Sequence, residues 1–533
     1  MRLGRNQIAV LLAAALGAGA GIALLVVVMS EPAPPEPKRA AAAPPVAAAV
    51  PDLAVPRIEP ATCWFAIPSG RAARCGSLVV AERHDDPRSR QLHLRFVVFE
   101  GEGATHAADP IIYIAGGPGD PAQIDAGTIG RWWSWTSRAD WLRQRDLVVF
   151  DQRGVGISDP QMNCPEIAEA GYRIFPKPLA ETAETTLWAG AAQRCHDRLT
   201  ASGLDLERYN TKAIVEDLRL LIDALGYRSW NLFAVSYGTR VALDFVRDNP
   251  GGTRSVVLDS VFPPDVRSYV DGPRNSQRAF QELFKECAAD AGCNSAFPNL
   301  AQSFERVLRR VIATPLALTL PDPKAGAPVE VSLDEARLVE ALYYGLYDWR
   351  NTQQMPGIIA ALDRGDTRPF APLAAAAFAS YASDKESHGL FLSVECHDEF
   401  PFNSREDVVA AADHTPLLKS FALTTVPLMA CPSWPVGSAA ASDRRPAPSD
   451  LPILVFVGEL DPAVSPEWAK QAVAHLPHAA IIRFPGIGHG VVAAHACADA
   501  LIAHFLAEPS KAPYDGCLLG VGSAMFAHAA VSP

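Results

Sequence analysis

Short apolar strands, each followed by a glycine-rich turn or a helix, recur on both sides of the stretch WNLFAVSYGTRVA (Trp230 to Ala242). LHLRFVVF, from Leu92, alternates like a half-buried strand, and DPIIYIAGGPGDPA is a short apolar strand ending in glycines. DLVVFDQRGVGIS repeats the arrangement, with Leu147 to Phe150 as the strand and a polar loop behind it. Thr211 to Gly226 places apolar residues at 214, 215, 218, 221, 222 and 225, which is one face of a helix closed by a glycine. WNLFAV is then a strand, YGTRVALDFVRDNP a helix stopped by Pro250, and RSVVLDS another strand. Strands alternating with helices predict an α/β fold: a mostly parallel, doubly wound sheet joined by right-handed crossovers.

Across 263–446 the alternation stops. AFQELFKECAADAGCNSAF reads as one helical segment, and SLDEARLVEALYYGLYDW opens with Ser332 and Glu335 at capping-box spacing. PILVFVGELD (Pro452 to Asp461) and AAIIRFPGIGHG (Ala479 to Gly490) then restore short apolar strands. The expected organisation is a sheet domain over 59–262, an inserted and mainly helical cap over 263–446, the rest of the sheet over 447–517, and a tail over 518–533.

The first thirty residues read as a targeting segment. Arg2 and Arg5 precede an apolar run of 22 residues, Ile8 to Met29. A helix of that length rises about 33 Å, enough to cross a bilayer. Cations before the run keep the N-terminus inside and export the rest. Two outcomes stay open: an uncleaved signal anchor, or a signal peptide cleaved among the alanines beyond. Residues 31–58 are rich in proline and alanine, which forbids a continuous helix and predicts an extended tether. All ten cysteines follow it, at 63, 75, 164, 195, 287, 293, 396, 431, 497 and 517. An even count in an exported chain favours disulfides. The sequence leaves their connectivity open, and pairing neighbours would close five short loops. The cell envelope, on its extracytoplasmic face, or the exterior is the expected location.

The net charge of −12 argues against a nucleic-acid partner, because phosphate binding needs clustered Lys and Arg. The sequence holds no zinc ribbon, P-loop or GxGxxG after a strand, so no metal or organic cofactor is called for.

Acyl transfer by serine needs a nucleophile, a base, an acid that orients the base, and donors for the oxyanion. Ser236 stands between a strand and a helix in a small-x-Ser-x-Gly turn, with Ala234 at the first small position. Asp461 follows the strand PILVFVGEL, and His489 lies in the turn GIGHG after AIIRF. That is the order nucleophile, acid, base, each just past a strand. Glu459 and Asp259 compete with Asp461, and His475, His478 and His495 compete with His489. Asp461 is preferred because a loop can aim it, and His489 because glycines flank it. The glycines of AGGPGD (Ala115 to Asp120) let backbone N–H groups turn inward, so Gly117 and Tyr237 are the candidate oxyanion donors. Asp151 and Arg153 of DQRG are expected to form an internal ion pair beside the elbow.

Taken together, GGPG, DQRGVGIS, VSYGTRVAL, ELFKECAADAGC and GIGHG resemble the tripeptidyl- and prolyl-aminopeptidase branch of the α/β-hydrolases, from about Gly76 to Cys517. The resemblance implies a serine exopeptidase that acts on peptides with a free N-terminus under a helical cap. It makes Ser236, Asp461 and His489 the triad and Gly117 and Tyr237 the oxyanion hole. Tyr113, Ile114 and Ala115 precede GGPG, without the histidine found there in many prolyl-aminopeptidases, which leans toward the tripeptidyl type. Acidic cap residues in such enzymes hold the substrate amine, and SVECHDEF offers Glu395, Asp398 and Glu399. An esterase or amidase acting on small molecules would use the same triad. A catalytically silent envelope binding protein is the reading from another class.

Overall fold

The computed structural model describes residues 54–102, 107–511, 513, 516–517 and 526–527. The expected anchor or leader and most of the tether, within 1–53, lie outside the described residues, as does nearly all of the expected tail. Among the described residues no helix is long and apolar enough to cross a membrane.

Eleven strands are described: β1 (Arg57–Ala61), β2 (Ala73–Ala81), β3 (Gln91–Phe99), β4 (Ala107–Ile114), β5 (Arg145–Phe150), β6 (Trp230–Val235), β7 (Thr253–Asp259), β8 (Leu316–Pro321), β9 (Pro328–Leu333), β10 (Ile453–Gly458) and β11 (Ala479–Phe484). Nine of them form one sheet in the order β1-β2-β3-β5-β4-β6-β7-β10-β11. β1, β2 and β3 join it antiparallel, and every later pairing is parallel. β5 and β10 are buried along their whole length, as parallel strands covered on both faces must be. Ile112, Leu232, Val256 and Val455 belong to the core on one face; their neighbours Ile111, Phe233, Val257 and Leu454 belong to the core on the other.

The helix Thr211–Leu225 has the limits its periodicity predicts. Asn210 caps it by accepting from the Ala213 N–H at 3.0 Å, and Gly226 closes it at φ 76°. β1 and β2 are absent from the sequence reading, and β1 begins at Arg57, inside the stretch expected as tether. RIEPA carries no clean alternation because β1 is only partly buried at the sheet's antiparallel edge.

Between β7 and β10 the chain is mainly helical, with its own core around Phe280, Leu308, Leu338, Leu342 and Phe378. Three expectations change here. β8 and β9 form an antiparallel hairpin within this stretch. The single helix expected over AFQELFKECAADAGCNSAF is two, Ser268–Ala289 and Ala291–Ala296. Asp290 breaks it by capping the second, accepting from the Cys293 N–H at 2.6 Å. The capping residue of Glu335–Tyr347 is Asp334, which accepts from the Arg337 N–H at 3.1 Å, while Ser332 pairs within β9. The stretch also packs on the excursion between β5 and β6: Phe175 stacks on Phe378 with ring centroids 4.9 Å apart.

Asp151 and Arg153 do not pair. Asp151 accepts from the backbone N–H groups of Ala122 (2.7 Å) and Ile157 (2.9 Å). Arg153, fully buried, forks onto Asp217 of the helix Thr211–Leu225 with two 2.7 Å hydrogen bonds. A bidentate partner on a neighbouring helix satisfies a buried guanidinium better than a carboxylate already holding the loop backbone.

The cysteines pair as neighbours: 63–75, 164–195, 287–293, 396–431 and 497–517. Five disulfides fit an oxidising, extracytoplasmic compartment. Replacing Cys396 and Cys431 together by serine is expected to lower stability by about 3 kcal/mol, read as an earlier denaturant midpoint under non-reducing conditions.

Candidate active site

Ser236 directly follows β6 and precedes the helix Tyr237–Asp248, with φ 57° and ψ −130°. A non-glycine residue in that region is strained. Its own N–H donates to the Asp259 carbonyl at 2.9 Å, and its carbonyl accepts from the Thr239 N–H at 2.8 Å. Gly238 is required behind it: a Cβ there would lie 2.4 Å from the Ile114 carbonyl oxygen and 2.6 Å from that of Ala115. Ala234 is fully buried in register between Ile114 and Leu258, so the sheet accommodates its methyl group.

His489 Nδ1 and Asp461 Oδ2 are 2.8 Å apart, both buried. The other Asp461 oxygen accepts from the Ala463 and Val464 N–H groups, each at 2.9 Å, which fixes the carboxylate. The imidazole stacks on Tyr347 with centroids 4.2 Å apart, and the His489 N–H donates to the Tyr347 carbonyl at 2.9 Å. The turn is tight: a Cβ on Gly488 would fall 1.8 Å from the Leu346 carbonyl oxygen. Burial works against the charged ring, but the charge and hydrogen bond of Asp461, with Asp259 and Asp120 further off, raise the His489 pKa above its usual value. Its Nε2 is buried and makes no hydrogen bond within the described residues. His489 and Ser236 line one cavity of about 980 Å³.

The competing groups are engaged elsewhere. Asp259 accepts from the Val491 and Val492 N–H groups at 2.9 Å each, holding the short helix Val491–Ala494. Glu459 pairs with Arg483 (Nη2 to Oε2 2.7 Å). His495 caps the helix Ala496–Ala507 by accepting from the Cys497 N–H at 3.1 Å, and His475 and His478 are exposed.

The loop after β4 presses on the serine. A Cβ on Gly116 would stand 3.0 Å from that of Ser236, and Gly117 has φ 104°. Tyr237 opens the elbow helix, its ring buried and its hydroxyl 2.8 Å from Thr211 Oγ1. The Ser387 N–H donates to the Gly119 carbonyl at 2.9 Å, which ties the loop to the stretch inserted between β7 and β10.

A strained serine elbow on a central strand of a mostly parallel sheet, followed past later strands by an aspartate and a histidine in contact, is a known constellation. The chain has an α/β-hydrolase fold. Residues 419–516 match the family model described as TAP-like protein. The chain is 25% identical over 476 residues to the serine protease Hip1 of Mycobacterium tuberculosis (strain ATCC 25618 / H37Rv), covering 84% of this chain and 87% of that one. It is 27% identical over 461 residues to carboxylesterase B of the same strain, covering 83% and 86%. It is 26% identical over 418 residues to the tripeptidyl aminopeptidase of Streptomyces lividans, covering 75% and 74%. Fold and matches together make this α/β-hydrolase a serine hydrolase.

The expected amine-binding carboxylates of the hydrolase have separate fates. Asp398 accepts from the Thr211 N–H at 2.9 Å and lies 2.6 Å from His397 Nδ1. Glu399 is held by Arg240, by Arg444 (2.8 Å) and by the Ser268 hydroxyl (2.9 Å). Each of these two buried carboxylates already has compensating partners. Glu395 bonds the Tyr269 hydroxyl and lines a second cavity of about 410 Å³. Sequence reasoning missed Asp120 and Glu386, which line the Ser236 cavity. Asp120 ends the glycine loop that drew attention for its backbone. Glu386 sits in a polar run, SDKES, that reads as solvated surface. Burial pushes Asp120 up to about 6, against the pull of His489.

Gly488→Ala is expected to displace the histidine turn and lower turnover on the order of 100-fold with the fold retained, measured as kcat/KM beside far-UV circular dichroism.

Proposed function

We propose that the chain is a serine exopeptidase that hydrolyses peptides near their free N-terminus. The observation that carries this reading is that, of the four carboxylates lining the cavity with Ser236, His489, Arg131 and Lys385, those of Asp125 and Asp151 are hydrogen-bonded while those of Asp120 and Glu386 have no hydrogen bond among the described residues. A site for neutral esters has no use for unpaired acids beside the nucleophile, whereas a protonated α-amine does. The relatives named serine protease and tripeptidyl aminopeptidase support the same reading; the one named carboxylesterase keeps small esters as the second substrate class to test.

In this mechanism Ser236 Oγ attacks the scissile carbonyl while His489 Nε2 takes its proton. Asp461 holds the Nδ1–H tautomer and stabilises the imidazolium. The N–H groups of Gly117 and Tyr237 receive the oxyanion. His489 then protonates the leaving amine, and water repeats the sequence on the acyl-enzyme. The helical stretch of 263–446 acts as the cap that restricts entry to chain ends, and the apolar N-terminal segment delivers the enzyme to the extracytoplasmic side.

Peptides with free N-termini should be cleaved and acetylated counterparts spared, with Ser236→Ala abolishing turnover. Equal cleavage of blocked peptides or a simple ester would reject the exopeptidase. Because a neutral His489 is the base and its pKa is raised, kcat/KM should fall on acidification with a midpoint above the ordinary histidine value of about 6.5. Asp461→Asn removes the main group holding that pKa up, so the midpoint should move to lower pH while the rate drops by about 10⁴-fold.

A further inference from the structure

The second cavity, about 410 Å³, adjoins the first through Glu386, which lines both. Its walls are aromatic: Tyr269, Tyr343, Tyr344, Tyr381, Phe421 and Trp188. Tyr343 lies 5.5 Å from Phe421 and 5.7 Å from Tyr344, centroid to centroid, and Tyr381 6.0 Å from Trp188. Three carboxylates, Glu340, Glu386 and Glu395, also line it, and among the described residues no Lys or Arg does. Its one histidine, His388, is held neutral because burial lowers its pKa to about 4.

Glu386 is exposed, but Glu340 is partly buried and Glu395 buried. Glu395 is 8% exposed and has a single hydrogen-bond partner, the Tyr269 hydroxyl, on one oxygen. Its second oxygen has no partner among the described residues. Among the described residues Glu340 bonds only the Tyr381 hydroxyl, with the Arg337 guanidinium further off. A neutral donor to each leaves most of the cost of burying a carboxylate uncompensated. Burial accordingly pushes Glu395 up to about 8 and Glu340 to about 7. A cation entering the cavity would meet ring faces and carboxyl groups, and its charge would favour release of their protons, so that an ammonium or guanidinium is bound by ring faces and newly ionised carboxylates together.

Resting on the exopeptidase reading, we propose that this cavity is a specificity pocket for a cationic side chain, lysine or arginine, in the N-terminal part of the substrate peptide. The α-ammonium uses Asp120 and Glu386 on the Ser236 side, and Glu340 and Glu395 receive the second charge. Glu386, at the junction, is what makes the two cavities one substrate channel.

The test is calorimetric titration of the full chain carrying Ser236→Ala with free-amine tripeptides that place lysine, or its uncharged counterpart norleucine, at each position in turn. At one position lysine should bind about 10-fold or more tightly than norleucine. Glu395→Gln and, as a second variant, Glu340→Gln should each shrink that ratio. Equal affinity for lysine and norleucine at every position, binding of neither, or a preference untouched by both variants overturns the pocket. Turnover by the unmodified chain separates the two readings. Ser236-dependent cleavage without any lysine preference sinks the pocket alone. A lysine preference in binding without cleavage of any peptide sinks the exopeptidase alone.

Discussion

The backbone of Ser236 is strained, and the rest of the architecture holds it there. A positive φ at a serine costs on the order of 1–3 kcal/mol, recovered only when the surroundings leave no alternative. The surroundings here are β4, β6 and β7. Ser236 hydrogen-bonds the end of β7, and the elbow helix approaches β4 so closely that Gly238 admits no side chain. The glycine loop after β4 then lies against the serine Cβ. Parallel strands ending at one edge bring Asp461 and His489 to the same place. The sheet is thus the device that positions the chemistry.

Buried ion pairs fasten the inserted helical stretch to this frame. Arg240, on the elbow helix, pairs with Glu399 of the inserted stretch, and Arg444 joins the same carboxylate. Arg337 pairs with Glu184, on the helix Glu181–Ala201, at 2.6 Å, both almost fully buried. Such pairs add little net stability over apolar packing, but breaking one leaves an uncompensated charge. Their effect is to specify one arrangement of these elements. Glu340 and Glu395, which form no salt bridge among the described residues, stand out against that pattern.

The sheet strands from β3 onward, the elbow and the order of Ser236, Asp461 and His489 were legible in the sequence, because each depends on a local run of apolar residues and the turn after it. What was not legible depends on distant partners. β1 is an edge strand whose register is set by β2. Arg153 looks toward Asp151 in sequence and finds Asp217 in space. Ser332 fits a capping box, yet the hairpin claims it and Asp334 caps instead. SVECHDEF shows three acids of equal standing, and only the fold reveals that Asp398 and Glu399 have several partners while Glu395 has only the Tyr269 hydroxyl. Glu386 is exposed, as its polar run suggests, and only the fold shows that it also lines the Ser236 cavity.

The central claim is that Ser236 is the nucleophile, activated by His489. The most direct measurement is mass-spectrometric mapping of the covalent adduct formed by a fluorophosphonate, which labels serines in proportion to their activation. The account predicts a single adduct, on Ser236, that His489→Ala abolishes in a folded protein. An adduct on another residue, or labelling of Ser236 undiminished by loss of His489, would contradict it.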